Sequence, residues 1–127
     1  MQKDGVVSIW TANTQWSDDE LREVTASKYS DDGDYLGSVF TNALSLDYVD
    51  DDFLEAEILA ETDSITEALK GFSYESKILN EIAKKNLALE KAIDTAVLIY
   101  NYEFDGKNNP CAISNQSFFF LGSFRYL

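Results

Sequence analysis

The sequence predicts an α+β domain: a mainly antiparallel sheet of about four to five strands with helices packed on it. Three observations carry this. Apolar residues recur with period two in some segments and at helical spacing in others. Helix-start signals fall between the strand-like segments, and the last third of the chain is strand-rich. A chain of 127 residues is one domain by length, spanning 1–127, and buries about two thirds of its unfolded surface in a single core.

The elements follow in order. Gly5-Val6-Val7-Ser8-Ile9-Trp10-Thr11 reads as a β-branched opening strand. Ser17-Asp18-Asp19-Glu20 matches a capping box and opens a short helix to about Ala26, with Leu21 and Val24 on its buried side. Ser30-Asp31-Asp32-Gly33-Asp34 is a turn cluster. Leu36, Val39, Phe40, Ala43 and Leu44 then repeat at helical spacing, which makes Asp34 the expected cap of a second helix. From Phe53 the period becomes two, with Leu54, Ala56, Ile58 and Ala60 on one face and Glu55, Glu57 and Glu61 on the other.

Ser64-Ile65-Thr66-Glu67 is a second capping box, leading a helix with Ile65, Ala68, Leu69 and Phe72 on one side, stopped near Gly71. Tyr74, Ile78, Leu79, Ile82 and Ala83 mark a further helix, with Lys77, Glu81 and Lys85 spaced for i, i+4 ion pairs. Thr95 to Phe104 begins apolar on both faces, as a central strand does. Asp105-Gly106 is a turn. Lys107 to Gln116, which holds the only proline, Pro110, reads as a loop with room for a short strand. Phe118 to Tyr126 is the last strand, with Phe118, Phe120, Phe124 and Tyr126 expected on one side.

Charge is distributed unevenly. Residues 1–67 carry 17 Asp and Glu against 3 Lys and Arg, and residues 68–127 carry 6 against 7, so the net −13 belongs to the first half. A one-sided acidic field repels nucleic acid and anionic membrane and attracts a basic protein surface. At 45% hydrophobic and 13% aromatic the chain is too apolar for a disordered acidic tail. The start lacks a basic region followed by a long apolar run, so no signal peptide is expected, and no apolar stretch reaches the roughly 18 residues of a membrane span. The single cysteine, Cys111, excludes an internal disulfide, fits a reducing cytoplasm and reads as an ordinary thiol. Histidine is absent, which removes Ser-His-Asp and Cys-His catalysis and the usual zinc sites.

The densest acidic run is Asp47, Asp50, Asp51 and Asp52, followed by Glu55 and Glu57. Neither this run nor Asp31-Asp32-Gly33-Asp34 has EF-hand spacing, which weakens a Ca²⁺-binding module. A carboxylate hydrolase needs an acid in an apolar pocket, whereas these acids crowd turns, caps and a strand's polar face. Asp18, Asp19 and Glu20 complement a helix dipole. Local roles do not cover Asp31, Asp32, Asp50, Asp51, Asp52, Glu55 and Glu57 together, and crowding of like charge implies a cationic partner. Trp10 reads as core, whereas Trp16 sits in a polar stretch and is the better contact residue. Tyr29, Tyr35 and Tyr48 lie among the acids, as aromatic anchors do inside a charged rim. The expected partner-binding residues are therefore Trp16, Asp31, Asp32, Tyr35, Asp47, Tyr48, Asp50, Asp51, Asp52, Glu55 and Glu57. No catalytic, metal-ligating or cofactor-binding residue is expected. A competing surface is an open sheet face carrying Tyr100, Tyr102 and Glu103.

The blocks Gly5-Val6-Val7-Ser8-Ile9-Trp10, Asp32-Gly33-Asp34-Tyr35-Leu36, Asp51-Asp52-Phe53-Leu54-Glu55-Ala56-Glu57 and Gly71-Phe72-Ser73-Tyr74 stand in that order. With Leu98-Ile99-Tyr100-Asn101-Tyr102-Glu103-Phe104-Asp105-Gly106 and Phe120-Leu121-Gly122-Ser123-Phe124-Arg125-Tyr126, they resemble the immunity protein 22 family. The stretches 84–94 and 107–116 fall outside the quoted blocks, and the resemblance assigns them no role. It implies a cytoplasmic, non-enzymatic antidote, encoded beside a bacterial polymorphic or contact-dependent toxin, that binds and neutralises the toxin domain. Nuclease toxins present basic clefts to phosphate backbones. Charge thus points to a cationic RNase or DNase, occluded one to one, with no direct binding of nucleic acid or membrane. The alternative is an acidic scaffold or nucleic-acid mimic that binds many basic partners.

Overall fold

The computed structural model describes residues 1–127 and shows the expected α+β domain. Its elements are β1 (Gln2–Ala12), α1 (Asp18–Thr25), β2 (Lys28–Tyr29), β3 (Tyr35–Gly37), α2 (Val39–Ala43), a 3₁₀ turn (Asp51–Phe53), β4 (Leu54–Thr62), α3 (Ile65–Ala68), α4 (Glu75–Lys84), β5 (Ile93–Tyr102), β6 (Cys111–Ile113) and β7 (Gln116–Arg125). Five strands form one sheet in the order β4-β5-β1-β7-β6, and β2-β3 is a separate two-stranded ribbon. Every strand pair is antiparallel.

The central strands β1 and β5 are buried on both faces because helices cover both. Leu21 and Val24 of α1, with Phe40 and Leu44 of the α2 segment, pack with Trp10, Val97, Ile99, Tyr102 and Phe118 on the first face. Leu69, Phe72, Ile78 and Ile82 of the α3–α4 segment pack with Val7, Ile9, Leu98, Tyr100, Phe124 and Tyr126 on the second. Burial of each such large side chain contributes roughly 1.5–3 kcal/mol, which makes this three-layer arrangement stable. It also removes the open sheet face: Tyr100 and Tyr102 are only 6% and 4% exposed, one in each core.

Local signals explain most boundaries. Ser17 Oγ accepts from the Glu20 amide at 3.2 Å and the Glu20 carboxylate accepts from the Ser17 amide at 3.2 Å, closing the expected box. At α3, Ser64 Oγ accepts from the Glu67 amide, but Glu67 does not return the bond, because the Ser64 amide donates to Thr62 Oγ1. On α4, Glu81 takes Lys84 at 2.7 Å instead of the i, i+4 lysines, and the Lys84 hydrogen bond holds its carboxyl below the usual range. Lys85 turns away to Ser123 O at 3.2 Å and over the Phe124 ring.

Four readings are corrected. Asp34 does not cap α2. Leu36 and Gly37 are occupied in the β2–β3 ribbon, so the helix begins only after Ser38, whose hydroxyl and amide form a box with Thr41. Leu36 and Val39, expected on a buried helix face, are exposed. In β4, Leu54, Ala56 and Ile58 pack on the first core, but the pairing slips between Ile58 and Thr62 and Ala60 is exposed. In β7, Ile9 pairs with Gly122 and Trp10 with Phe120, so Leu121 is an extra residue. That bulge sends Phe118 and Phe120 to the first core and Phe124 and Tyr126 to the second. Gly122 is required there: a Cβ would stand 2.8 Å from the Phe124 ring.

Candidate partner-binding surface

Tyr35 and Tyr48 of the expected binding residues meet at one corner of the first-face layer, with Asp31, Asp32, Asp50, Asp51 and Asp52 next to them in the chain. The β2–β3 ribbon pairs Tyr29 with Tyr35 across the Asp31-Asp32-Gly33 turn, where Gly33 supplies the left-handed residue at φ +87°. The chain from Ser45 to Phe53 runs alongside. The Val49 amide donates to the Tyr35 hydroxyl at 3.4 Å, and Val49 is anchored in the core at 3% exposure. This seats Tyr48 against Tyr35, with ring centroids 4.8 Å apart at 65°, while Tyr29 also meets Tyr35 at 5.8 Å and 68°. Tyr29 and Tyr48 stay 55% and 57% exposed, with Leu36, Val39 and Phe53 exposed in the same stretch of chain.

The acids divide by what holds them. Asp50 caps the 3₁₀ turn by accepting from the Asp52 amide at 2.9 Å. Asp51 ties that turn to the end of α1 by accepting from Ser27 Oγ at 2.6 Å and from the Ser27 amide. Asp31, Asp32, Asp52 and Glu57 accept no hydrogen bond from the protein and make no ion pair. The three basic residues of the first half are each taken by a carboxylate: Lys3 by Glu103, Arg22 by Asp19 and Lys28 by Glu23. No ion pair from either half reaches Asp31, Asp32, Asp50, Asp51 or Asp52, so the carboxylates of this corner are uncompensated. Their imprint is the Tyr48 phenol, raised above its ordinary value chiefly by the Asp50 carboxylate.

Not every expected contact residue joins the group. Glu55 is committed to the second face, where it accepts from Ser73 N, Ser73 Oγ and the Tyr100 hydroxyl. Burial, then that carboxylate, pushes the Tyr100 phenol far up. Asp47 accepts from the Tyr102 hydroxyl at 2.6 Å. It also lines an open groove of about 770 Å³ with Met1, Leu46, Glu103, Asp105 and Phe120, beside the tyrosine corner in sequence. Trp16 is half buried, packed on Phe118 at 5.8 Å and against the first core, not on the tyrosines. Tyr29, not among the expected contact residues, joins the group through Tyr35; the turn cluster between Tyr29 and Tyr35 is the sequence signal that pairs them.

No group of three His, Cys, Asp or Glu side chains converges as a metal-binding set. No helix is long and apolar enough to cross a membrane, which leaves β-barrels unaddressed. Burial raises the Cys111 thiol above its ordinary value, consistent with an unreactive role.

Fold and surface together define a small acidic α+β domain that presents a cluster of exposed aromatic and carboxylate side chains at one corner. The chain belongs to the immunity protein 22 family, whose defining sequence pattern matches residues 7–126, including the two stretches outside the quoted blocks. Membership gives it a toxin-neutralising role with a cognate toxin as partner, in a family that is generally non-enzymatic. No curated protein and no solved structure matches it.

Proposed function

We propose that residues 1–127 act as one stoichiometric, non-catalytic antidote in the cytoplasm, and that the toxin it binds is a cationic nuclease. The observation carrying this is the uncompensated acidic corner around Tyr48, where no basic side chain of the first half is free to neutralise Asp31, Asp32, Asp50, Asp51 and Asp52. A nuclease's phosphate-binding cleft supplies the complementary charge. Long-range attraction speeds the encounter, and the exposed tyrosines, desolvated on contact, slow release. Trp16 and Glu55 are held elsewhere and belong at most to the rim of the contact.

The test is co-expression with the toxin domain encoded beside this gene. Growth arrest by the toxin alone, rescue by this protein, and recovery of a 1:1 complex whose nuclease activity is abolished are the expected results. A toxin that is acidic, or one that acts on a substrate other than nucleic acid, refutes the nuclease reading. Retrieval of many basic proteins with similar affinity, and no rescue, favours the acidic scaffold instead.

A further inference from the structure

Tyr29, Tyr35 and Tyr48 meet edge to face, at 68° and 65°, as the core pairs Trp10–Phe40 and Tyr100–Tyr126 also do at 90° and 84°. Exposure is what sets the trio apart. The outer two rings are more than half exposed and bury little apolar surface of their own. Ring faces carry negative partial charge, and a carboxylate beside them adds to it. Asp50 and Asp51 follow Tyr48 in the chain and are fixed by the Asp52 amide and by Ser27, so they are held in place beside the rings.

The protein supplies no cation to this spot. Its two lysine–ring contacts are Lys85 on Phe124 and Lys91 on Phe119, both on phenylalanines elsewhere. Lys28, adjacent to Tyr29 in β2, turns to Glu23 at 3.1 Å. Two fixed carboxylates beside exposed aromatic rings present a surface complementary to a cation.

We propose that Tyr29, Tyr35 and Tyr48, rimmed by Asp50 and Asp51, form a cage that seats one arginine guanidinium of the basic partner. Arginine fits better than lysine because the planar guanidinium is weakly hydrated, stacks on ring faces and pairs bidentately with carboxylate. The inference rests on the reading of this corner as the partner-binding face.

The cage is testable without the toxin. Nα-acetyl-arginine amide, titrated into the full chain and followed by NMR on the tyrosine ring protons, is expected to give saturable shifts at Tyr29, Tyr35 and Tyr48. Nα-acetyl-citrulline amide has the same shape without the charge and is expected to bind about three- to fivefold more weakly, the discrimination of an exposed cation–π site. Tyr48→Leu and, separately, Tyr29→Leu are expected to abolish that discrimination; both residues are exposed, so the fold survives. Equal binding of the two probes, or discrimination that persists in both variants, overturns the cage and leaves the antidote reading untouched. Tighter binding of Nα-acetyl-lysine amide overturns the choice of arginine. Discrimination by the wild type with unchanged toxin affinity in Tyr48→Leu overturns the partner as the cation's source.

Discussion

Replacing Asp50, Asp51 and Asp52 by Asn tests the electrostatic part of the account while disturbing the fold little. Asn at 50 still accepts from the residue-52 amide, and Asn at 51 still accepts from Ser27 Oγ, so the turn keeps its main hydrogen bonds. The stability change is expected within about 1 kcal/mol. The charge falls from −13 to about −10. With each lost carboxylate about 7 Å from a partner cation in water, Coulomb's law gives roughly 0.6 kcal/mol per pair before screening. At about 10 mM salt the Debye length is about 30 Å, so roughly 0.5 kcal/mol survives per pair and the three together are worth about a tenfold change. At about 0.15 M salt the same three are worth only about three- to fourfold. Stopped-flow or surface-plasmon measurement of association with the toxin domain, at both salt concentrations, reads these ratios. The loss is expected in the association rate more than in the dissociation rate. An unchanged association rate with an unchanged salt slope refutes the reasoning.

Three further outcomes follow from the interior. Trp10 is fully buried, with Phe40, Phe104 and Phe120 rings each 5.3 Å away, so Trp10→Ala is expected to cost about 3–5 kcal/mol in urea denaturation; a loss below about 1 kcal/mol contradicts that packing. Asp94 accepts from the Thr14 and Gln15 amides at 2.8 and 2.9 Å and from Thr95 Oγ1, holding the loop that places Trp16 and Ser17. Asp94→Ala is expected to cost about 2–4 kcal/mol by the same assay, because two amides lose their partner. Burial raises the Tyr100 and Tyr102 phenols above their ordinary 10.0, with Glu55 and Asp47 adding to it. The folded state therefore keeps these protons longer than the unfolded state does. Their contribution is complete below about pH 10 and is lost as pH rises beyond it. Thermal denaturation across that range is expected to show a falling Tm, with a shallower fall in the Tyr100→Phe/Tyr102→Phe double variant.

Much of the frame was legible because it is local. The Ser17–Glu20 box, the double-sided apolar run of β5 and the alternation that opens β4 are each written within ten or so residues. What the sequence concealed depends on pairing between distant segments. The bulge at Leu121 exists only in the register of β7 against β1, and it reverses the faces of Phe124 and Tyr126. The β2–β3 ribbon is so short that Leu36 and Val39 imitate a helical repeat, and only the ribbon's pairing shows that α2 begins after Ser38. The acids of the corner were evident as composition. Their division was not: Glu55 and Asp47 read like their neighbours but are bound to Tyr100 and Tyr102, which lie about fifty residues away in the chain. The tyrosine trio also had to wait for three dimensions, since Tyr48 reaches Tyr35 only because Val49 is anchored in the core.

The most direct test of the central claim, that this corner is where the toxin binds, is amide hydrogen exchange of the protein alone and in its toxin complex. Slowed exchange confined to residues 28–37 and 45–55, with the α4 helix and the stretches 84–94 and 107–116 unchanged, is the predicted result. Slowed exchange in those other segments, with 28–37 and 45–55 exchanging as freely in the complex as alone, contradicts the account.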